Sequence, residues 1–107
     1  MTNPDLPEGV TIETVYAVEI SYSPEAQAKR PAVRFEHLTR IARLLGDGRL
    51  VEAGGYLDWK SALLVVRASS EQEAIDLIRD DVYVRSGVWL DDAVARAFGR
   101  VVLDASR

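Results

Sequence analysis

The chain's 107 residues predict an α+β fold, a ferredoxin-like βαββαβ sandwich in which an antiparallel sheet carries two helices on one face. Three observations carry that expectation: a period-two alternation near the amino end, two separate helical patterns, and two short apolar runs joined by a tight turn between them. A chain of this length buries roughly two-thirds of its unfolded surface and has no room for a second core. Residues 1–107 are therefore read as one domain, with 1–9 as a flexible leading segment.

From Val10 to Tyr22, the residues Ile12, Tyr16, Val18, Ile20 and Tyr22 alternate with Glu13, Ala17, Glu19 and Ser21, which is the pattern of a half-buried strand. Ser23-Pro24 ends it. Pro31 stands where a first helical turn tolerates proline, and Gly46-Asp47-Gly48 stops the helix that follows. Within Pro31 to Gly46 the residues Phe35, Leu38, Ile41, Ala42 and Leu45 share one sector at about 100° per residue, and that sector should face the core. Arg49 to Ala53 reads as a short strand, Gly54 to Lys60 as a turn, and Ser61 to Ala68 as a strand, the short connection making an antiparallel hairpin. Ser70-Glu71-Gln72-Glu73 has the spacing of a capping box and opens a helix to about Asp80. The last strand falls within Val88 to Leu103. Because Leu63 to Val66 is apolar without a break, both faces of the sheet want to be dry there. Helices cover one; a second subunit's sheet would cover the other, giving a homodimer with a closed or nearly closed barrel.

Formal charge is −4, and the arginines are scattered with no basic run, so nucleic acid is not an expected partner. Absence of cysteine removes disulfides, thiol nucleophiles and thiolate metal sites together. A lone histidine argues against a metal centre, and no glycine-rich phosphate motif calls for a nucleotide; no cofactor is expected. Met1 to Gly9 holds two acids, two prolines and no apolar run, which is neither a signal peptide nor a membrane anchor. A cytoplasmic protein is the expectation.

Against this background two stretches place charge where packing prefers hydrocarbon. Arg34 falls inside the apolar sector of the first helix and His37 at its edge, about one turn later. In the second helix Ala74, Ile75, Leu77 and Ile78 face inward, and one further turn brings Asp81 to that face while Asp80 points to solvent. A guanidinium aimed at a core needs a partner, and Asp81 is the candidate.

Taken in order, Arg34-x-x-His37-Leu38, Gly48-Arg49-Leu50-Val51-x-Ala53-Gly54 and Asp81-x-Tyr83-Val84-x-x-Gly87-Val88 resemble the YCII-related (YciI-like) domain family across roughly residues 12–103. That resemblance implies the dimeric α+β barrel, a pocket near the barrel, and a histidine and aspartate in a proposed active site, matched here by His37 and Asp81. Arg34 matches the arginine that precedes the histidine. The resemblance also brings relatives such as a dehydrochlorinase of a chlorinated hydroxyhydroquinone and, in the wider superfamily, muconolactone isomerase, but it names no substrate. Val82 stands where the family usually has proline, Ala97 where proline is common before Phe98, and the hairpin from Gly55 to Lys60 lacks a longer insertion.

The chemistry these residues suit is proton transfer. An imidazole exchanges protons near neutrality, and a carboxylate on one ring nitrogen fixes the tautomer and favours the imidazolium. Asp81 would orient, His37 would transfer, Arg34 would hold a carboxylate or a growing enolate charge, and Tyr83 would add a hydroxyl or an aromatic wall. The expected activity is isomerisation or elimination on a small anionic compound, aromatic or not. Plainer roles compete: His37 as a packed or capping residue, Arg34 in an internal salt bridge to Glu19, Glu52 or Asp81, and Asp81 capping the turn before Tyr83. The alternative at the level of function is a noncatalytic ligand-binding or accessory module, or a polar cluster serving only folding and dimer geometry. Tyr16, Tyr22, Trp59 and Trp89 are read as core or dimer contacts.

Overall fold

The computed structural model describes residues 5–104, so Met1 to Pro4 of the leading segment lie outside the described residues. Strand β1 (Val10–Ser21) is followed by helix α1 (Ala26–Gly46), strands β2 (Leu50–Gly55) and β3 (Ser61–Val66), helices α2 (Glu71–Arg79) and α3 (Val82–Arg85), and strand β4 (Val94–Leu103). The four strands form one antiparallel sheet in the order β2-β3-β1-β4, the ferredoxin-like arrangement. β1 lies centrally, with Tyr16 opposite Val66 on one side and opposite Ala97 on the other.

That register decides which side of each strand meets the helices. Val18, Ile20, Ala62, Leu64, Val66 and Ala95 join Ile41 and Leu44 of α1 and Ala74 and Ile78 of α2 in one core. The opposite face carries no helix. There Val65 is buried and Leu63 half-buried, while Val94 and Phe98 are 60% and 49% exposed. The apolar run from Leu63 to Val66 thus feeds both faces, as its pattern requires.

Three local features differ from the expectation. α1 starts at Ala26, so Pro31 lies inside it and leaves the Gln27 carbonyl without its usual donor. The early start has a tertiary cause: Ser23 is tied to the far end of the chain, its Oγ donating to Gly87 O at 2.6 Å and its N–H to Val88 O at 2.9 Å. The Ser23 carbonyl, fixed in that way, accepts from Ala26 N–H and begins the helical turn. Second, the core-facing sector of α1 is Ala26, His37, Ile41 and Leu44, with Val33 and Arg40 half-buried. Phe35 is 87% exposed, and Leu38, Ala42 and Leu45 are exposed as well, so the sector lies about one residue's rotation from the one expected. Third, the short α3 separates α2 from the last strand. Between α3 and β4, Trp89 forms a bridge with Tyr22, and Leu90 N–H donates to Ser21 O at 2.9 Å.

At the start of α2, Ser70 Oγ accepts from Glu73 N–H at 3.1 Å. The Glu73 carboxylate does not reciprocate to Ser70; it accepts from the backbone and hydroxyl of Ser69 instead. Among the described residues, no helix is long and apolar enough to cross a membrane.

Candidate functional site

α1 and the α2–α3 junction build the site between them. α2 ends at Arg79, where Asp80 takes the C-cap position and is exposed. Asp81 then turns extended (φ −78°, ψ 146°) and becomes the N-cap of α3, with Oδ2 accepting from Tyr83 N–H at 2.9 Å. Asp81 faces inward as expected, but as the cap of a new helical turn and not as a continuation of α2. Val82 sits at the first position of α3, the place a helix tolerates proline. Replacing proline there leaves Asp81 in the extended conformation that a following proline would also have favoured.

Asp81 is wholly buried and His37 7% exposed, and His37 Nδ1 lies 2.7 Å from Asp81 Oδ2. The other carboxylate oxygen accepts from Arg40 Nη1 at 3.1 Å, while Arg40 Nη2 donates to the Leu77 carbonyl at 2.7 Å. Burial works to raise Asp81's pKa, but the hydrogen bonds from His37, from Tyr83 N–H and from Arg40, with the charge of His37, outweigh it and hold the carboxyl below the usual carboxylate range. An ionised Asp81 can only accept, so Nδ1 carries the hydrogen and Nε2 is left as the ring nitrogen free to exchange a proton.

The imidazole is clamped by aromatic rings. Tyr83 stacks on it at 3.6 Å between centroids and 9° between planes, and Trp89 stands edge-on to both rings at 5.1 Å. Burial, together with the charge of Asp81, raises the Tyr83 phenol's pKa against the opposing charges of Arg30 and Arg34, so it remains a neutral hydroxyl at neutral pH. A cavity of about 140 Å³ opens beside these rings, lined by His37, Tyr83, Trp89 and Tyr22, by Arg30 and Arg34, and by the backbone of Gly54 and Gly55. A more open groove of about 540 Å³ lies against β3 and α2, but its lining mixes arginines with acids, including the Arg79–Asp91 ion pair, and converges on no one chemistry.

His37, Asp81 and Tyr83 are therefore brought together; the family resemblance implies His37 with Asp81, whereas the residue pattern alone sets Arg34 against Asp81. Arg34 is exposed, lies at the cavity and does not reach Asp81; the guanidinium on Asp81 is that of Arg40. Once His37 is central to the inward sector of α1, its neighbours are Arg34 at i−3 and Arg40 at i+3. Centring the helical wheel on His37, Ile41 and Leu44 would have placed Arg34 and Arg40 about 60° to either side of His37; what separates them is position along the axis, Arg40 lying one turn further on, where Asp81 is. Tyr22 and Trp89 are also more than core contacts, since both line the cavity.

Residues 14–97 match the model of the YCII-related domain, a span that contains Arg34, His37, Arg40, Asp81 and Tyr83. Two fungal proteins, each called Fusaric acid biosynthesis protein 2, from Gibberella fujikuroi and Gibberella moniliformis, are 31% identical to this chain over 84 residues, covering 69% of it and 81% of their own length. With most of its length matched in this way, the chain belongs to the YCII-related family.

Proposed function

We propose that the protein is a small-molecule enzyme that uses the His37–Asp81 pair for acid–base proton transfer, an isomerisation or an elimination, on a small anionic compound. The observation that carries this reading is the buried 2.7 Å contact between Nδ1 and Asp81 at the wall of an open cavity, which leaves Nε2 available there. In this mechanism Nε2 removes a proton from carbon. The resulting imidazolium is stabilised by Asp81, which stays ionised because Arg40 and the Tyr83 N–H hold it, and the proton returns at a second position or a leaving group departs. Arg34 and the Tyr83 hydroxyl meet the negative charge that develops on the substrate. Kinship with proteins named for fusaric acid biosynthesis supports a role in small-molecule metabolism.

The working form in this reading is a cytoplasmic homodimer. Its support is the sheet face without helices, where Leu63, Val94 and Phe98 flank the buried Val15 and Val65, with Glu19 opposite Leu63 and Val94, and no helix of the same chain covers them.

Deuterium exchange tests the activity without knowledge of the product. In deuterated buffer, a panel of small oxo acids, unsaturated acids and lactones is followed by proton NMR. The native protein should speed exchange or isomerisation of at least one member by about 100-fold or more over His37→Gln. Equal rates with the two proteins across the panel would overturn the proposal.

A further inference from the structure

Two features of the cavity remain unused by the His37–Asp81 pair: a cation on a prop, and a small interior closed at one end. Among the described residues no carboxylate lines the cavity, whereas Arg30 and Arg34 both do. Arg40, Arg67, Arg79, Arg85 and Arg100 each meet an acid; among the described residues Arg30 and Arg34, like Arg43, Arg49 and Arg96, form no ion pair, and of these five only Arg30 and Arg34 line the cavity. The Arg30 guanidinium carbon instead lies 4.4 Å from the centre of the Trp59 ring, which packs 5.3 Å from Tyr22. A cation over an indole is attracted by the ring's negative face and keeps its hydrogen-bond donors free.

Trp59 reaches that position at a conformational cost. Its φ is +62°, the one positive φ of a non-glycine among the described residues, and bulky side chains seldom adopt it. Such backbone strain gathers where a side chain must be placed for a purpose. Here it falls in the β2–β3 turn, closed by Trp59 N–H on the Tyr56 carbonyl, and the indole that this turn presents is the one Arg30 covers.

The closed end comes from Tyr22 and Gly55. A Cβ at position 55 would run into the Tyr22 hydroxyl, so the phenol ring rests directly on bare backbone and closes that end of the cavity. An apolar cavity of about 150 Å³ takes one benzene molecule. At about 140 Å³ this one has room for one ring within its walls, and a second ring would have to extend through its mouth.

We propose that Arg30, propped on Trp59, and Arg34 form a carboxylate clamp at the rim of a one-ring cavity, so that the ligand is a monocyclic monocarboxylate. The inference rests on the reading of this cavity as the ligand site.

The test is binding of benzoate, benzamide and 2-naphthoate to the full chain, followed by nitrogen–proton NMR. Benzoate should bind at least about tenfold more tightly than benzamide and than 2-naphthoate. Arg30→Gln should weaken benzoate by about tenfold and leave benzamide unchanged. Trp59→Leu should weaken benzoate and Trp59→Phe should restore it, since a phenyl ring still supports the cation. Benzoate no better than benzamide, indifference to Arg30→Gln, naphthoate bound as well as benzoate, or no benzoate binding at millimolar concentration would each overturn the clamp. If benzoate binds through Arg30 yet His37 is undisturbed and no exchange is catalysed, the clamp stands and the acid–base activity fails. If His37-dependent exchange is found while benzoate and benzamide bind alike, the activity stands and the clamp fails.

Discussion

His37 is the chain's sole imidazole, and everything around it fixes one protonation pattern: Asp81 on Nδ1, Tyr83 on its face and Trp89 at its edge. Asp81 in turn is satisfied three ways, by His37, Arg40 and the Tyr83 N–H. Removing the acceptor leaves three buried or half-buried donors facing nothing, so Asp81→Ala should lower unfolding stability by about 3–5 kcal/mol in denaturant titrations. Arg40→Met removes one charged hydrogen-bond partner and should cost about 1.5–3 kcal/mol by the same measurement. The acid dependence follows from Asp81's depressed pKa. The unfolded chain takes up this proton before the folded one does, so the contribution is complete above the usual carboxylate range and is lost as pH falls toward and through Asp81's lower folded value. On acidification the native protein's denaturation midpoint should therefore drop more steeply than that of Asp81→Asn; parallel curves would contradict the assignment. At this scale the sequence was legible where a charge broke an apolar pattern, as at His37 and Asp81. Arg40 was hidden because five apolar residues, from Phe35 to Leu45, outvoted the sector on which His37 lies.

At the scale of elements, turns and caps follow residue chemistry closely, and tertiary ties move the boundaries. Ser70 was legible as the cap of α2, and Ser70→Ala should cost about 1 kcal/mol in the same titrations. Gly48, at φ +82°, carries the chain from α1 into β2, and Gly48→Ala should cost about 1–2 kcal/mol because a side chain disfavours that region. The start of α1 was not legible. It depends on Ser23 meeting Gly87 and Val88, residues far away in sequence, and no local pattern encodes that contact. Likewise α3 is too short to show a helical period, although Asp81 followed by the Tyr83 backbone is a cap that aspartate commonly makes.

At the scale of the molecule, strand order followed from the alternation of elements and from the two short apolar strands that form a hairpin. β1 and β4 pair along their whole common length, from Val10 opposite Leu103 to Glu19 opposite Val94, and β3 reaches only as far as Tyr16. The two strands therefore project past the rest of the sheet, and the molecule measures 51 × 25 × 24 Å. Ile12, Val101 and Leu103 on this projection are exposed, as are Val94 and Phe98 on the helix-free face. The homodimer in the proposed function uses that face, so Phe98→Glu should convert a dimer to a monomer in sedimentation velocity. A native protein that sediments as a monomer at micromolar concentration would contradict the proposed assembly.

The most direct test of the central claim is a nitrogen–proton correlation spectrum of the His37 ring, taken at a pH high enough to leave it neutral. Because no other histidine is present, its signals need no separation from others. Orientation of the ring by Asp81 requires the hydrogen on Nδ1 and a bare Nε2 in the native protein, with that preference lost in Asp81→Asn. A hydrogen on Nε2, or a ring unaffected by the substitution, would show that Asp81 does not orient His37 and would remove the basis for proton transfer at this site.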